Sequence, residues 1–298
     1  MQPAPTEPTT VPSRTTSPRA RRLVRAFPVL AATAVLAGCG AADTAEQGPP
    51  DAELMGHIHG IGVDPADDTV YVGAHYGVFR LDGDTATRIA DRWQDTMSFT
   101  VVGENHFLAS GHPALDEDLP THLGLIESTD AGETWTPRAL QGDADFHALE
   151  PADGVLYGFD SQSGEIYASE DWTTFRRVGR FNAFDLAADP TDPTRLMATT
   201  PDGIALVDTS NATSSTLDAP ALAFLDWPRA DTLVGLAPDG RVYLSPDQGR
   251  SWTTGGRVPG EPSALEVSDD EWFAATSTGL YRSADDGSTW DLIHALEH

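Results

Sequence analysis

Short apolar runs, separated by turns rich in glycine, aspartate, proline and threonine, follow one another along most of the 298-residue chain. Six of them align because each precedes a tight turn and a further apolar run: VYVGAH, FLASGH, VLYGFD, LMATT, LVGLA and WFAAT, ending at His75, His112, Asp160, Thr200, Ala237 and Thr276. Their ends are 37, 48, 40, 37 and 39 residues apart. One apolar run precedes each of them and two more follow, which predicts four short strands per unit.

The repeat predicts an all-β protein, a six-bladed β-propeller over residues 54–298. Four strands in a period near forty are typical of propeller blades. A β-sandwich, the rival all-β architecture, gives no reason for a steady period. The last unit holds sequence for all four of its strands, so the mode of ring closure stays open.

Three turns share the pattern Ser-x-Asp-x-Gly-x-[Thr/Ser]-Trp. They are STDAGETW, SPDQGRSW and SADDGSTW, with Ser128, Asp130, Gly132, Trp135, Ser245, Asp247, Gly249, Trp252, Ser283, Asp285, Gly287 and Trp290 at the fixed positions. Serine and aspartate side chains hydrogen-bond the backbone of tight turns, and glycine adopts a positive φ at little cost. We expect the tryptophan to pack between neighbouring sheets. A fourth copy, SEDWTTF at Ser169–Phe175, lacks the glycine.

The pattern resembles the Asp-box, or BNR repeat, of β-propellers of the sialidase-like superfamily. The resemblance covers nearly all of the chain after the N-terminal segment. It implies a propeller scaffold in which the box aspartates are structural and not catalytic.

The N-terminal residues predict export and lipidation. Arg19, Arg21, Arg22 and Arg25 precede the apolar run Ala26–Gly38, which is too short for a membrane-spanning helix and is typical of a signal peptide. The run ends in LAGC and resembles the lipobox of bacterial lipoproteins. We therefore predict a signal peptide at 1–38, a lipidated Cys39 followed by a polar linker to residue 53, and attachment to the extracytoplasmic face of the cell membrane through the acyl anchor.

The net negative charge of the chain limits the kinds of partner it can bind. The chain has 18 arginines, no lysine and 46 acidic residues, for a net charge of −28. Five arginines and one acid precede Cys39, so the part from Cys39 onward carries a net charge of −32. Such a surface repels phosphate backbones, and a nucleic-acid partner is not expected.

Histidines concentrate in the first three predicted blades, and most fall on one face. Alternate loops of a blade share a face, which brings together the start of the first strand and the turn between the second and third. The candidate metal ligands on this face are His57, His59, His75, His112, His147 and Asp160, with His122 in a long loop nearby. Imidazole and carboxylate suit Cu²⁺ or Zn²⁺, and Met55 and Met97 could add thioether contacts to Cu(I). His106 falls in a turn of the opposite face.

A narrower resemblance concerns HIHGIGVDP and YVGAHYGVFR, which together with the lipobox look like bacterial lipoproteins labelled glycosylhydrolase. That label rests on fold likeness. Sialidases hold their substrate with three arginines, and no such triad assembles on the histidine face, so sialidase activity is not expected. Two opposed carboxylates would suffice for another glycosidase; the candidates are Asp95, Asp116, Glu117, Asp118, Asp145, Asp160 and Asp185.

The sequence thus favours a lipid-anchored propeller whose histidine face binds Cu, Zn or a polar ligand, in metal handling or recognition at the cell surface. A carbohydrate-active or metal-dependent hydrolase using the same face is the alternative. A protein-binding scaffold is a second alternative, in which the histidines are incidental.

Overall fold

The computed structural model describes residues 55–268 and 271–296. The predicted signal peptide, the lipidation site Cys39 and the linker to residue 53 lie outside the described residues, as does His298. No helix able to cross a bilayer occurs in the described ranges.

In the described part of the chain, twenty-four strands form six antiparallel sheets, each from four consecutive strands. This confirms the predicted all-β, six-bladed propeller. Blades one to three comprise β1 (Ile58–Asp64), β2 (Thr69–Ala74), β3 (Gly77–Asp82), β4 (Thr85–Arg88); β5 (Asp95–Gly103), β6 (His106–His112), β7 (Leu125–Ser128), β8 (Thr136–Ala139); β9 (Phe146–Ala152), β10 (Val155–Asp160), β11 (Glu165–Ser169), β12 (Arg176–Arg180). Blades four to six comprise β13 (Asp185–Asp189), β14 (Asp192–Thr200), β15 (Gly203–Asp208), β16 (Thr213–Thr216); β17 (Phe224–Arg229), β18 (Thr232–Leu236), β19 (Arg241–Ser245), β20 (Thr253–Arg257); β21 (Pro262–Val267), β22 (Trp272–Thr276), β23 (Gly279–Ser283), β24 (Asp291–Ala295).

The first strand of each blade is its inner strand, and the six inner strands contact one another in a closed ring. The second strands are mostly buried, because both of their faces pack against neighbouring blades; all five residues of β22 are buried, whereas β14 is buried only in its second half. The outermost strands are polar and open to solvent, as in the fully exposed β16. Hydrophobic clusters therefore lie between blades, such as Val234 and Leu236 of blade five against Trp272 of blade six.

Two glycines, Gly60 in β1 and Gly73 in β2, allow blade one to approach β5, the inner strand of blade two, closely. A side chain at Gly60 would come within 2.7 Å of the Phe99 carbonyl oxygen, and one at Gly73 within 2.5 Å of the Phe99 Cβ. Only glycine fits at such a contact. This close packing fixes the spacing of the strands that carry His59 and Asp95.

The ring closes without a shared strand, because blade six is formed entirely by β21–β24. Phe273 and Leu280 of blade six share a buried cluster with Met55, Ile58 and Phe79 at the start of the chain's described part. The His294 Nδ1 lies 2.8 Å from the Asp84 carbonyl oxygen across the same seam.

The three Ser-x-Asp-x-Gly turns connect the third and fourth strands of blades two, five and six. In the first, the Ser128 hydroxyl accepts from the Gly132 N–H (2.8 Å) and donates to Asp130 (2.8 Å), which accepts in turn from the Thr134 N–H (2.9 Å). The same bonds recur in the turns that begin at Ser245 and Ser283. The turn glycines have φ values of 85°, 81° and 73°, and the following tryptophans are half-buried. These turns lie opposite the predicted histidine face.

Candidate metal centre

Six histidines and two aspartates from blades one to three meet at one end of the central channel. We call this set the histidine rim: His57, His59, His75, His112, His122, His147, Asp95 and Asp145. They come from the starts of inner strands, from the turns after the second strands, and, for His122, from the long loop between β6 and β7. These positions share a face because the blade is an antiparallel meander.

A β-bulge at the start of the inner strand directs side chains into the channel. The pairing of β1 skips His59, that of β5 skips Met97, and that of β9 skips His147. A bulge re-aims the unpaired residue. All three side chains line the channel cavity.

Group one consists of His59, His75 and Asp95, whose ligand atoms all lie within 4.8 Å of one another. The His75 Nδ1 is 3.1 Å from the Asp95 Oδ1. The His59 Nε2 and the Asp95 Oδ1 are buried and have no hydrogen-bond partner among the described residues. His57 stands beside the group, its Nδ1 3.5 Å from the His59 Nδ1.

Group two consists of His112, His122 and Asp145, again within 4.8 Å. The His112 Nε2 is 3.4 Å from the Asp145 Oδ1, and the His122 Nδ1 is 3.9 Å from the Asp145 Oδ2. The His122 Nδ1 and the Asp145 Oδ1 are buried and lack a hydrogen-bond partner within the described ranges. Each group therefore contains two buried polar atoms that an ion would satisfy.

The second carboxylate oxygen of Asp145, Oδ2, already has hydrogen-bonding partners. Its Oδ2 accepts from the Ser161 hydroxyl (2.8 Å) and lies 3.0 Å from the His147 Nε2. These partners hold the carboxylate in place and leave Oδ1 directed at His112. Outer partners of this kind orient metal ligands.

The protonation states suit metal binding. Burial lowers the pKa of His59 to about 3, and the charges of His57, His75 and His147 act in the same direction, so its imidazole is neutral at pH 7. Burial opposes ionisation of Asp145, but hydrogen bonds from His147 and Ser161 and the charges of His147 and His112 outweigh it and hold the pKa below its usual range. Metal ligation needs neutral imidazole and ionised carboxylate.

The candidate ligands named from the sequence occupy different positions relative to the two groups. His59 and His75 fall in group one and His112 in group two, whereas His57 contacts His59 and His147 contacts Asp145.

Asp160 belongs to neither group, because its oxygens accept from the Asp145 and Ser163 N–H groups (2.9 and 3.1 Å) and hold the turn. The Ser161 N–H bonds the Asp145 carbonyl as the His75 N–H bonds the His57 carbonyl. The alignment of Asp160 with His75 was thus wrong by one residue, and Ser161 occupies that place.

From the sequence alone, Asp95 and Asp145 are only carboxylates near the face and His122 is only a loop residue, whereas the structure places all three in the two groups. The sequence does contain a pattern that indicates Asp145. Asp145 and His147 are two residues apart at the start of blade three, as His57 and His59 are at the start of blade one. His106 lies apart as predicted, 2.8 Å from Glu127. Met55 is buried in a core cluster, and Met97 lines the channel cavity.

The central channel holds a cavity of about 620 Å³, which the rim residues His57, His59 and His147 also line. Four carboxylates from blades three to six line it: Glu150, Asp185, Asp226 and Glu266. Burial raises the pKa of Glu150 to about 8 and those of Asp185 and Glu266 to about 7, and it raises that of Asp226 well above the usual range. Three of them accept a backbone N–H of the next blade, as Glu150 does from Ala188 (2.9 Å).

Comparison with known proteins supports the fold alone. No protein-family model and no curated protein matches the sequence. A gluconolactonase from Xanthomonas campestris superposes with a TM-score of 0.60 at 13% identity, over 76% of this chain and 84% of that chain. The extracellular domain assigned to a hybrid two-component system of B. thetaiotaomicron gives 0.55 at 10% identity, over 80% of this chain and 33% of that one, so the present chain spans a third of its length. YCF48 bound to a D1 peptide gives 0.52 at 13% identity, over 74% and 89%.

Proposed function

We propose that the protein binds a divalent transition metal ion, Zn²⁺ or Cu²⁺, at group two of the histidine rim. The observation that carries the proposal is the pair of buried, unpartnered atoms, the His122 Nδ1 and the Asp145 Oδ1, beside the His112 Nε2. Two imidazoles and one carboxylate form a donor set that zinc accepts with a further position open for water or a ligand.

The biological role proposed for this site is metal handling, or recognition of a ligand through the ion, on the extracytoplasmic face of the cell membrane. The location rests on the sequence of the N-terminal segment and on Cys39. The open coordination position supports exchange or recognition more than a purely structural ion, which proteins usually enclose with four ligands.

Titration of the purified full-length protein with Zn²⁺, after chelator treatment, tests the proposal. Excess Mg²⁺ is included to occupy weak sites on the acidic surface. We expect Asp145→Asn to weaken binding by at least about tenfold, because loss of a ligand costs no less than loss of an outer partner. Asp143→Asn, an exposed neighbour with the same charge change, serves as the matched control. Equal affinities for the two variants, or no zinc binding by the wild type, would refute the proposal.

A hydrolase acting on a carbohydrate is the second candidate. It is favoured by the channel cavity, where Glu150 and Asp185 have raised pKa values near neutrality, as general acids require. A panel of aryl glycosides tests it: turnover by the wild type that is lost in Glu150→Gln supports this candidate. A protein without bound metal and without turnover would favour the protein-binding scaffold.

A further inference from the structure

The histidine rim contains a second set of unsatisfied atoms that the proposed zinc site does not use. The His59 Nε2 and the Asp95 Oδ1 of group one are buried without a hydrogen-bond partner among the described residues, and the His75 Nδ1 lies 3.1 Å from that same oxygen. The unpartnered His59 Nε2 costs free energy that a cation would recover, and the ion would take the place of a proton between the His75 Nδ1 and the Asp95 Oδ1. Group one therefore has the donors of a metal site of its own.

The backbone holds group one in place without the ion. The His75 N–H donates to the His57 carbonyl (2.9 Å), and the Tyr76 N–H donates to the Met55 carbonyl (3.1 Å). The Tyr76 ring packs edge-on against His75, with ring centroids 4.9 Å apart. The β-bulge at His59 directs the second imidazole of the group. The site is thus organised before any ion arrives.

Asp95 faces both groups. Its Oδ1 belongs to group one, and its Oδ2 lies 3.5 Å from the His112 Nδ1. A carboxylate next to Nδ1 favours the tautomer that carries its proton there and presents the Nε2 lone pair. The His112 Nε2 is the atom that approaches Asp145 in group two. Asp95 therefore supplies a ligand atom to group one and positions His112 in group two.

We infer that the histidine rim binds two divalent transition metal ions, one in each group, and that Asp95 couples them. This inference rests on the proposed zinc site at group two. That group is the tighter of the two, because Asp145 is almost fully enclosed and its second oxygen is held by two partners, whereas the His75 side chain is 48% exposed. Loading proceeds in two steps, group two first.

Equilibrium dialysis of the full-length protein against Zn²⁺, with excess Mg²⁺ and elemental analysis of the bound metal, tests the inference. The wild type should bind two ions. His75→Ala should bind one, with the tighter affinity unchanged within about twofold. Asp145→Asn should also bind one, at the weaker site. Asp95→Asn should lose the weaker site and weaken the tighter one by roughly tenfold or more. His106→Ala, on the opposite face, should keep both.

Each result has one interpretation. No bound zinc in the wild type refutes the proposed function itself. One ion that Asp145→Asn abolishes and His75→Ala preserves leaves the proposed function standing and refutes the second site. Two ions that none of these variants removes are ions on the acidic surface and refute the inference, and an unchanged tighter site in Asp95→Asn refutes the coupling.

A spectroscopic readout separates adjacent ions from distant ones. With Cu²⁺ as the probe, half-loaded protein should give a sharp electron paramagnetic resonance spectrum, and full loading should broaden it because only one imidazole and one carboxylate separate the ions. Two sharp, independent signals at full loading would place the second ion outside group one and overturn the inference. Circular dichroism of each variant confirms that the propeller is intact.

Discussion

Asp145 and Glu150 lie in the same stretch of blade three, yet their environments favour opposite protonation states. Asp145 has hydroxyl and imidazole donors around one oxygen and stays ionised. Glu150 has one backbone donor, from Ala188, and acidic neighbours at Asp185 and Glu266, so burial prevails and its pKa rises to about 8. Five residues after Asp145, the channel thus changes from an ionised carboxylate to carboxyl groups whose pKa values are raised.

This difference predicts a pH dependence of stability. The unfolded chain releases the proton of Glu150 near pH 4.5, whereas the folded chain keeps it to about pH 8, so the free energy of unfolding falls as pH rises between these values. The slope from one such group is at most about 1.4 kcal/mol per pH unit. Measured from pH 7.5 to 8.5 on metal-free protein, where histidine in the unfolded chain is already largely neutral, Glu150→Gln should flatten this slope and raise stability at pH 8 by on the order of 1 kcal/mol.

Glu104→Gln, an exposed turn variant with the same charge change, is the matched control. It should keep the wild-type slope. An unchanged slope in Glu150→Gln would contradict the prediction.

At the scale of strands and turns, the sequence predicts the blades well and the rim only in part. Apolar alternation and glycine-containing turns determine each strand, so the four-strand units could be derived from local patterns. The rim depends on where a β-bulge inserts one residue, which shifted the alignment of Asp160 and Ser161. It also depends on the loop that carries His122, for which the other blades offer no aligned counterpart. Neither the bulge nor this loop produces a periodic pattern in the sequence.

The repeated turns on the opposite face give a prediction about stability alone. Ser245 is buried, and its hydroxyl is the acceptor for the buried Gly249 N–H. Ser245→Ala leaves that donor unsatisfied and should lower the free energy of unfolding by about 1–3 kcal/mol. Denaturant unfolding measures the change, with Ser214→Ala on the exposed strand β16 as control. Zinc affinity should be unchanged; a destabilisation no larger than that of the control would contradict the role given to this hydroxyl.

At the scale of the whole molecule, the protein combines an acidic surface with a rim of imidazoles. The net charge of −28 attracts cations broadly, but the rim offers enclosed nitrogen donors in addition to carboxylates. A divalent ion such as Mg²⁺ prefers oxygen donors, whereas Zn²⁺ and Cu²⁺ accept imidazole. The acidic surface would raise the local concentration of cations, and the rim would select among them.

Cys39 carries the prediction about where the protein works. Cys39→Ser removes the predicted acyl acceptor, so we expect the protein to move from the membrane fraction to the aqueous fraction of bacterial cells expressing the full-length chain. Ala42→Ser, which keeps the cysteine, should stay with the membrane. Wild type and Cys39→Ser found in the same fraction would refute lipid anchoring.

The seam between blades six and one has a consequence for where the chain can begin and end. Met55 and Leu296, at the two ends of the described part, pack into one cluster, and no strand within that part is shared between two blades. Closure of the circle therefore does not depend on which blade comes first in the polypeptide, as long as the cyclic order of the blades is kept. A gene permuted to begin at any junction between blades would encode the same toroid, with its imidazoles brought to the same mouth.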